Sequence, residues 1–184
     1  ERVRYLVEAA ELYAAAADPD RARELLGAAL DVDPEHFEAA SRLADLLDGT
    51  GADKEQFGLL ELVLRKTDPQ DRVGRTRAHV RIARLAKSLG NTDRALVALR
   101  AAHELDPAAL ETLRELGPLL MARETWDEAG RLMQAMLAHH SDHLSRGERV
   151  DVYTRLGTCI QRQGDESRAV HFFEKALDLD PEHQ

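Results

Sequence analysis

A single cysteine, Cys159, stands in 184 residues. It cannot close an internal disulfide, which suits a reducing compartment. Aromatic residues make up only 4% of the chain. No run of about 18 apolar residues occurs, so no stretch is suited to spanning a bilayer. The opening residues, ERVRYLVEAAELY, alternate charge with apolar side chains and carry no signal-peptide core. Cytoplasm is the expected location. No alternating strand pattern is present, no glycine-rich phosphate loop, and no cysteine pairs at metal spacing. No catalytic residue, cofactor or metal is therefore expected. The net charge of -9 argues against nucleic acid or an anionic membrane as the main partner.

What the chain does have is helix-forming composition. It is 32% charged and 43% hydrophobic, rich in Ala, Leu, Arg and Glu. Apolar residues recur at helical spacing nearly throughout. Punctuation falls at Asp18-Pro19, Asp33-Pro34, Gly49 to Gly51, Asp68-Pro69, Gly90-Asn91, Asp106-Pro107, Ser141-Asp142 and Gly164-Asp165. Pro suits a first helical turn and Asp or Asn can cap it. Connections this short force neighbouring helices antiparallel. The expectation is a string of helical hairpins, about ten helices in all.

Three stretches read almost alike: DPDRARELLGAALDVDP from Asp18, NTDRALVALRAAHELDP from Asn91 and DESRAVHFFEKALDLDP from Asp165, spaced 73 and 74 residues apart. Taking Val3 as a first place, small residues fall at Ala10, Ala22 and Ala29, with Pro34 at the end. From Thr76 the same places hold Ala83, Ala95, Ala102 and Pro107; from Val150 they hold Gly157, Ala169, Ala176 and Pro181. A copy opening at Leu110 has Gly117 and Ala129 but Met136 at the third small place. The weakest, opening at Phe37, keeps Ala44 but has Gln56 at the central place and Pro69 one residue late. This pattern resembles the tetratricopeptide repeat, a helix-turn-helix of about 34 residues. The resemblance implies an all-α, right-handed superhelical solenoid of about ten antiparallel helices. Its copies would run approximately 3-36, 37-70, 76-109, 110-143 and 150-183, in one array over 1-184. Small side chains let helices cross closely, and stacked hairpins bury one continuous core.

The small first-helix residues Ala10, Ala44, Ala83, Gly117 and Gly157 are spaced 34, 39, 34 and 40. The repeating object is thus a pair of hairpins, one plain and one with a longer first helix. The helical extensions are expected at 70-75 and 144-149. ERV at Glu1 and Glu148, and DPEH at Asp33 and Asp180, recur 147 residues apart. Neither end shows a polar capping element, so the chain reads as a piece cut from a longer array. Its Ala- and Arg-rich composition points to a bacterial source. Leu at Ala95 or Ala169 should overpack a helix crossing, whereas Gln56 should tolerate Ala.

Candidate chemistry is sparse. HHSDH (His139, His140, Asp142, His143) could gather an adventitious metal, but it sits at an expected helix end, where His favours the dipole. Trp126 and the pair Phe172-Phe173 read as core, and Cys159 as inert and partly buried. In the family resembled, first helices line a concave groove, and places 2, 5, 9, 12 and 13 usually face it. Here those places include Glu11, Glu38, Asp45 and Asp48, then Arg77, Arg84 and Lys87 with Arg81 adjoining, then Arg114 and Arg162. Residues 70 to 106 carry a net +4 in a chain whose remainder is -13. The resemblance implies a non-catalytic interaction scaffold that holds a partner protein or peptide with an acidic segment in the groove. The Lys/Asn clamp used by family members that bind chaperone tails is absent: Val7, Glu11, Ser41 and Asp45 stand there. Two rival readings are a regulatory or substrate-recruiting arm of a larger enzyme, and a spacer that self-associates through open array ends.

Overall fold

Asp18, Asn91 and Asp165, which open the three similar stretches, share one job. Each side chain accepts the backbone N–H three residues on, from Arg21 at 3.1 Å, Arg94 at 3.0 Å and Arg168 at 3.0 Å. That bond satisfies one of the unpaired donors at a helix start. The Asp-Pro dipeptides do the opposite work. Asp33, Asp68 and Asp106 accept the N–H two residues on, at 3.2, 2.8 and 3.1 Å, and so turn the chain between helices.

The computed structural model describes residues 1–180; Pro181 and the rest of the second DPEH lie outside them. The described residues form ten α-helices and no strand. They fall into two compact units, Glu1–Ala98 and Leu99–Gln184. The first holds α1 (Arg2–Ala15), α2 (Pro19–Val32), α3 (Phe37–Leu46), α4 (Asp53–Lys66) and α5 (Arg72–Ser88). Next comes α6 (Thr92–Leu105), whose residues divide between the units. The second holds α7 (Leu110–Ala122), α8 (Trp126–His140), α9 (Arg146–Arg162) and α10 (Glu166–Leu179). Odd-numbered helices are the first of each hairpin, even-numbered the second.

The turn inside every hairpin uses left-handed backbone at the fifteenth place of the copy: Ala17, Gly51, Gly90, Glu124 and Gly164, with φ of 59, 81, 75, 58 and 89°. Glycine adopts this without a Cβ penalty; Ala17 and Glu124 do not.

Helices α5 and α9 have 17 residues each, against 10 in α3 and 13 in α7. At 1.5 Å per residue they are about 6–10 Å longer. The added turn begins later than expected. Gln70, Asp71, Leu144 and Ser145 lie before the helices, because Asp71 and Ser145 are their N-caps, Ser145 in a capping box with Glu148.

The core of the first unit joins Val7 and Ala10 of α1, Leu26 and Ala29 of α2, and Leu43 of α3. In the second, Leu113, Leu116, Leu132, Met133 and Leu156 are all sealed from solvent. Burying each such side chain contributes about 1.5–3 kcal/mol. The small residues sit at the tightest crossings. A Cβ placed on Gly157 would come within 2.7 Å of the Phe173 ring.

The weak copy departs from expectation at its centre. Gln56 is only 2% exposed, and its Nε2 donates to Ala44 O at 2.8 Å and Asp48 Oδ1 at 3.3 Å. Ala44 lies in the last turn of α3, where carbonyls lack helical partners. Gln56 therefore fills the crossing that Ala occupies elsewhere and caps α3 from α4. The expectation that Ala would be tolerated there is overturned, since Ala would leave a hole and remove the bond. Cys159 is fully buried rather than partly so, and burial raises its thiol pKa. Trp126, Phe172 and Phe173 are half-buried, a partial correction to their reading as core.

Candidate interaction surfaces on the first helices

In the first unit, the charges expected to face a groove are largely tied to one another. Arg42 of α3 reaches Glu11 of α1 and, at 2.9 Å, Glu38 one turn back. Arg81 of α5 donates to Asp45 Oδ1 at 2.6 Å and to Ala44 O at 3.1 Å. Asp48 accepts from Gln56. Arg42 and Arg81 thus engage three of the four acids, Glu11, Glu38 and Asp45, while Asp48 bonds only the neutral Gln56 amide among these contacts. Exposed pairs of this kind are each worth about 0–1 kcal/mol. Arg81 is the least exposed of these partners and bonds two acceptors, so it is the firmest.

A spacing rule underlies the pairs. Glu11 and Asp45 hold the ninth place of their copies, and Arg42 and Arg81 hold the sixth place of the next. The sixth place was not among those expected to matter. Its signal, Arg in three of five copies (Arg42, Arg81, Arg155), was present in the sequence. A cleft of about 170 Å³ lies beside the Glu11–Arg42 rung, floored by Leu26 of α2.

The helix α5 is different in kind. Its 17 residues contain Arg72, Arg75, Arg77, Arg81, Arg84 and Lys87 and not one acid. Arg75 donates to Leu64 O at 3.4 Å. Arg77, Arg84 and Lys87 are exposed, and Arg77 has no ion pair among the described residues. Half-buried His79 is held below the ordinary imidazole pKa, first by burial and then by the Arg75 charge.

In the second unit, α7 and α9 flank a cleft of about 230 Å³ floored by Met133 and Met136 of α8. Arg114 pairs with Glu148 at 2.6 Å, and Arg155 with Asp151 of its own helix at 2.9 Å. The Glu148 carboxyl is pushed below its usual range, chiefly by its hydrogen bonds with Ser145 and then by Arg114. The ninth place of this copy is Pro118, inside α7. With no acid there, Arg155 has no rung to join and turns back on Asp151. Arg162 lies over the Trp126 ring at 5.5 Å.

The histidine cluster is split by the end of α8 at His140, after which Ser141–His143 form a short 3-10 turn. The His140 ring bonds to Ala108 O. No group of three or more His, Cys, Asp or Glu among the described residues could hold a metal ion. No described helix is long and apolar enough to cross a membrane.

Known structures share this fold. YrrB, described as a TPR protein with an unusual peptide-binding site, is 20% identical; the match covers 97% of this chain and 86% of that one, with a TM-score of 0.73. MamA of AMB-1 is 21% identical over 100% of this chain and 94% of its own, with a TM-score of 0.74. A further MamA structure is 17% identical over 98% and 93%, at 0.72. No curated protein matches in sequence. These likenesses make the fold an all-α helical-repeat solenoid. Tetratricopeptide-repeat family models match residues 7–72, 76–108 and 150–183. Between them they cover most of the chain, which therefore belongs to the tetratricopeptide-repeat family.

Proposed function

We propose that this protein is a non-catalytic interaction scaffold that holds an acidic segment of a partner protein or peptide along α5. The observation that carries the reading is the charge of that helix: six cations and no acid within 17 residues. Arg81 is occupied by Asp45 and the Ala44 carbonyl; Arg77, Arg84 and Lys87 form an exposed cationic row, in which Arg77 has no ion pair among the described residues. Arg77 and Arg84 lie seven residues apart and so share one helix face. A guanidinium presents a planar fork that matches a carboxylate, and a packed helix loses little freedom on binding. The peptide-binding description of YrrB gives a precedent within the fold. Arg114 and Arg162 already hold Glu148 and Trp126, so their part in binding is secondary in this reading.

The test is a pulldown with the wild-type protein, followed by titration of the captured partner. Arg77→Glu combined with Arg84→Glu should abolish binding while helical circular dichroism is retained. Lys54→Glu, at an exposed position of α4, should bind as wild type. Arg100 is a poor control because it makes bonds of 3.2 and 2.7 Å to Glu128. Retained binding in the α5 variant, or its loss in the Lys54 variant, sinks the reading.

A further inference from the structure

Arg81 holds its two acceptors with different nitrogens, and the acceptors differ in kind. Its Nη2 donates to the Ala44 carbonyl at 3.1 Å and its Nη1 to Asp45 Oδ1 at 2.6 Å. The carbonyl lies in the last turn of α3, where such groups lack helical partners, and it also accepts from Gln56 Nε2 at 2.8 Å. Being backbone, it is fixed. Asp45 is a short side chain, 62% exposed against 24% for Arg81. If Asp45 let go, the guanidinium would stay pinned through Nη2 and offer Nη1 to another anion. Arg42, at the same place of the copy before, has no such division, because carboxylates alone hold it, Glu11 and Glu38.

Arg77 stands one turn before Arg81 on the same face of α5, since residues four apart are neighbours on a helix. It is exposed and has no ion pair among the described residues. Like charges at this spacing repel, and an anion placed between them relieves the repulsion. The two guanidinium forks thus form a seat for carboxylates. One side of that seat is filled from within by Asp45. An incoming carboxylate also meets the negative charge of Asp45 at close range. Asp45 therefore opposes an acidic ligand twice, by occupying a donor and by repelling the anion.

We propose that Asp45 is an internal competitor for the partner's carboxylates. Its pairing with Arg81 holds the Arg77–Arg81 seat half closed, and an acidic segment opens the seat by displacing the Asp45 side chain. This rests on the reading of α5 as the binding helix and adds how that site is regulated. The exchange costs little, because an exposed ion pair contributes little net stability and the Ala44 carbonyl keeps Arg81 ordered throughout. It also sets a threshold. A segment with one carboxylate only trades one pairing for another, whereas a run of acids engages Arg77 as well. Runs of acids are therefore selected over isolated ones.

The experiment follows the anisotropy of a fluorescently labelled glutamate homopeptide titrated with the 184-residue protein at low salt. Asp45→Asn keeps the shape of the side chain and removes its charge; it should bind about fivefold tighter than wild type or better. Asp48→Asn removes an equal charge nearby without releasing Arg81, and should gain less than about twofold. In an Arg81→Gln background the gain from Asp45→Asn should vanish, because the nitrogen it frees is gone. Helical circular dichroism should match wild type throughout. Equal or weaker binding by Asp45→Asn overturns the proposal, and leaves the α5 reading standing where Arg77→Glu with Arg84→Glu still abolishes binding. A gain as large at Asp48→Asn, or one that survives in the Arg81→Gln background, overturns it too, since the effect is then general repulsion. If neither wild type nor Asp45→Asn binds the peptide, the α5 reading and the proposal fall together.

Discussion

The two units solve the same repeat positions with different chemistry. In Glu1–Ala98 the joining is polar: Gln56 spans a crossing to the Ala44 carbonyl, and Arg42 and Arg81 tie neighbouring first helices together. In Leu99–Gln184 the place of Gln56 is held by the buried small residues Ala129 and Ala169, and the close contacts of the first helices are made by apolar bulk. Met133 fills the space above Gly117, Phe173 lies over Gly157, and Pro118 stands where an acid would complete a rung. A small residue is required at a crossing only if the opposing side chain must be accommodated by volume. A long polar side chain serves equally when a helix-end carbonyl lies within its reach.

The largest effect that could break this comparison is at Gln56. Replacing it with Ala should cost about 3 kcal/mol in urea unfolding, combining a cavity with a lost buried hydrogen bond. Gln56→Leu, which keeps the volume, should cost only about 1 kcal/mol. Equal costs for the two would mean that packing alone holds the crossing.

Next come the glycines of the second unit. Gly157→Ala meets the ring of Phe173 at 2.7 Å and should lose about 2 kcal/mol, because an aromatic ring has nowhere to bend. Gly117→Ala meets only the terminal methyl of Met133, which can swing aside, so its loss should stay below about 1 kcal/mol. Thermal melts of the two variants side by side decide the matter.

A gain is expected at Pro118. Pro118→Glu restores a helical N–H to α7 and supplies the missing acid for Arg155. It should stabilise by about 1 kcal/mol or more, part of it salt-sensitive. No gain would show that α7 is already adapted to its proline.

The smallest effect belongs to His79. Burial sets its folded pKa below the unfolded value, so the proton binds more tightly to the unfolded chain. The stability involved is present above the ordinary imidazole pKa and is lost as pH falls toward the folded one. Melts at neutral and mildly acidic pH should show this slope in the wild type and a weaker one in His79→Gln.

Much of the architecture was legible because caps and turns are local. Asp18, Asn91 and Asp165 bond three residues ahead, and the Asp-Pro turns two residues ahead, so the letters alone locate the helix starts. The long helices α5 and α9 were readable from spacing, though their caps at Asp71 and Ser145 move each start two residues inward. The interaction surface was harder to read. Choosing the groove residues by place picked out Glu11 and Asp45, with Arg81 named only as adjoining, but not which of them were already engaged. It also passed over Arg42 and Arg155, whose role depends on the helix beside them.

The sequence by itself determined the hairpins, their small crossing residues and the pairing of plain with extended copies, since each depends on contacts within a few turns of chain. Tertiary structure alone decided that Gln56 replaces an alanine and that Arg42 and Arg81 are occupied while Arg77 is not. The reason is physical. Capping and periodicity are properties of one segment, whereas burial and ion pairing are set by whichever segment lies opposite.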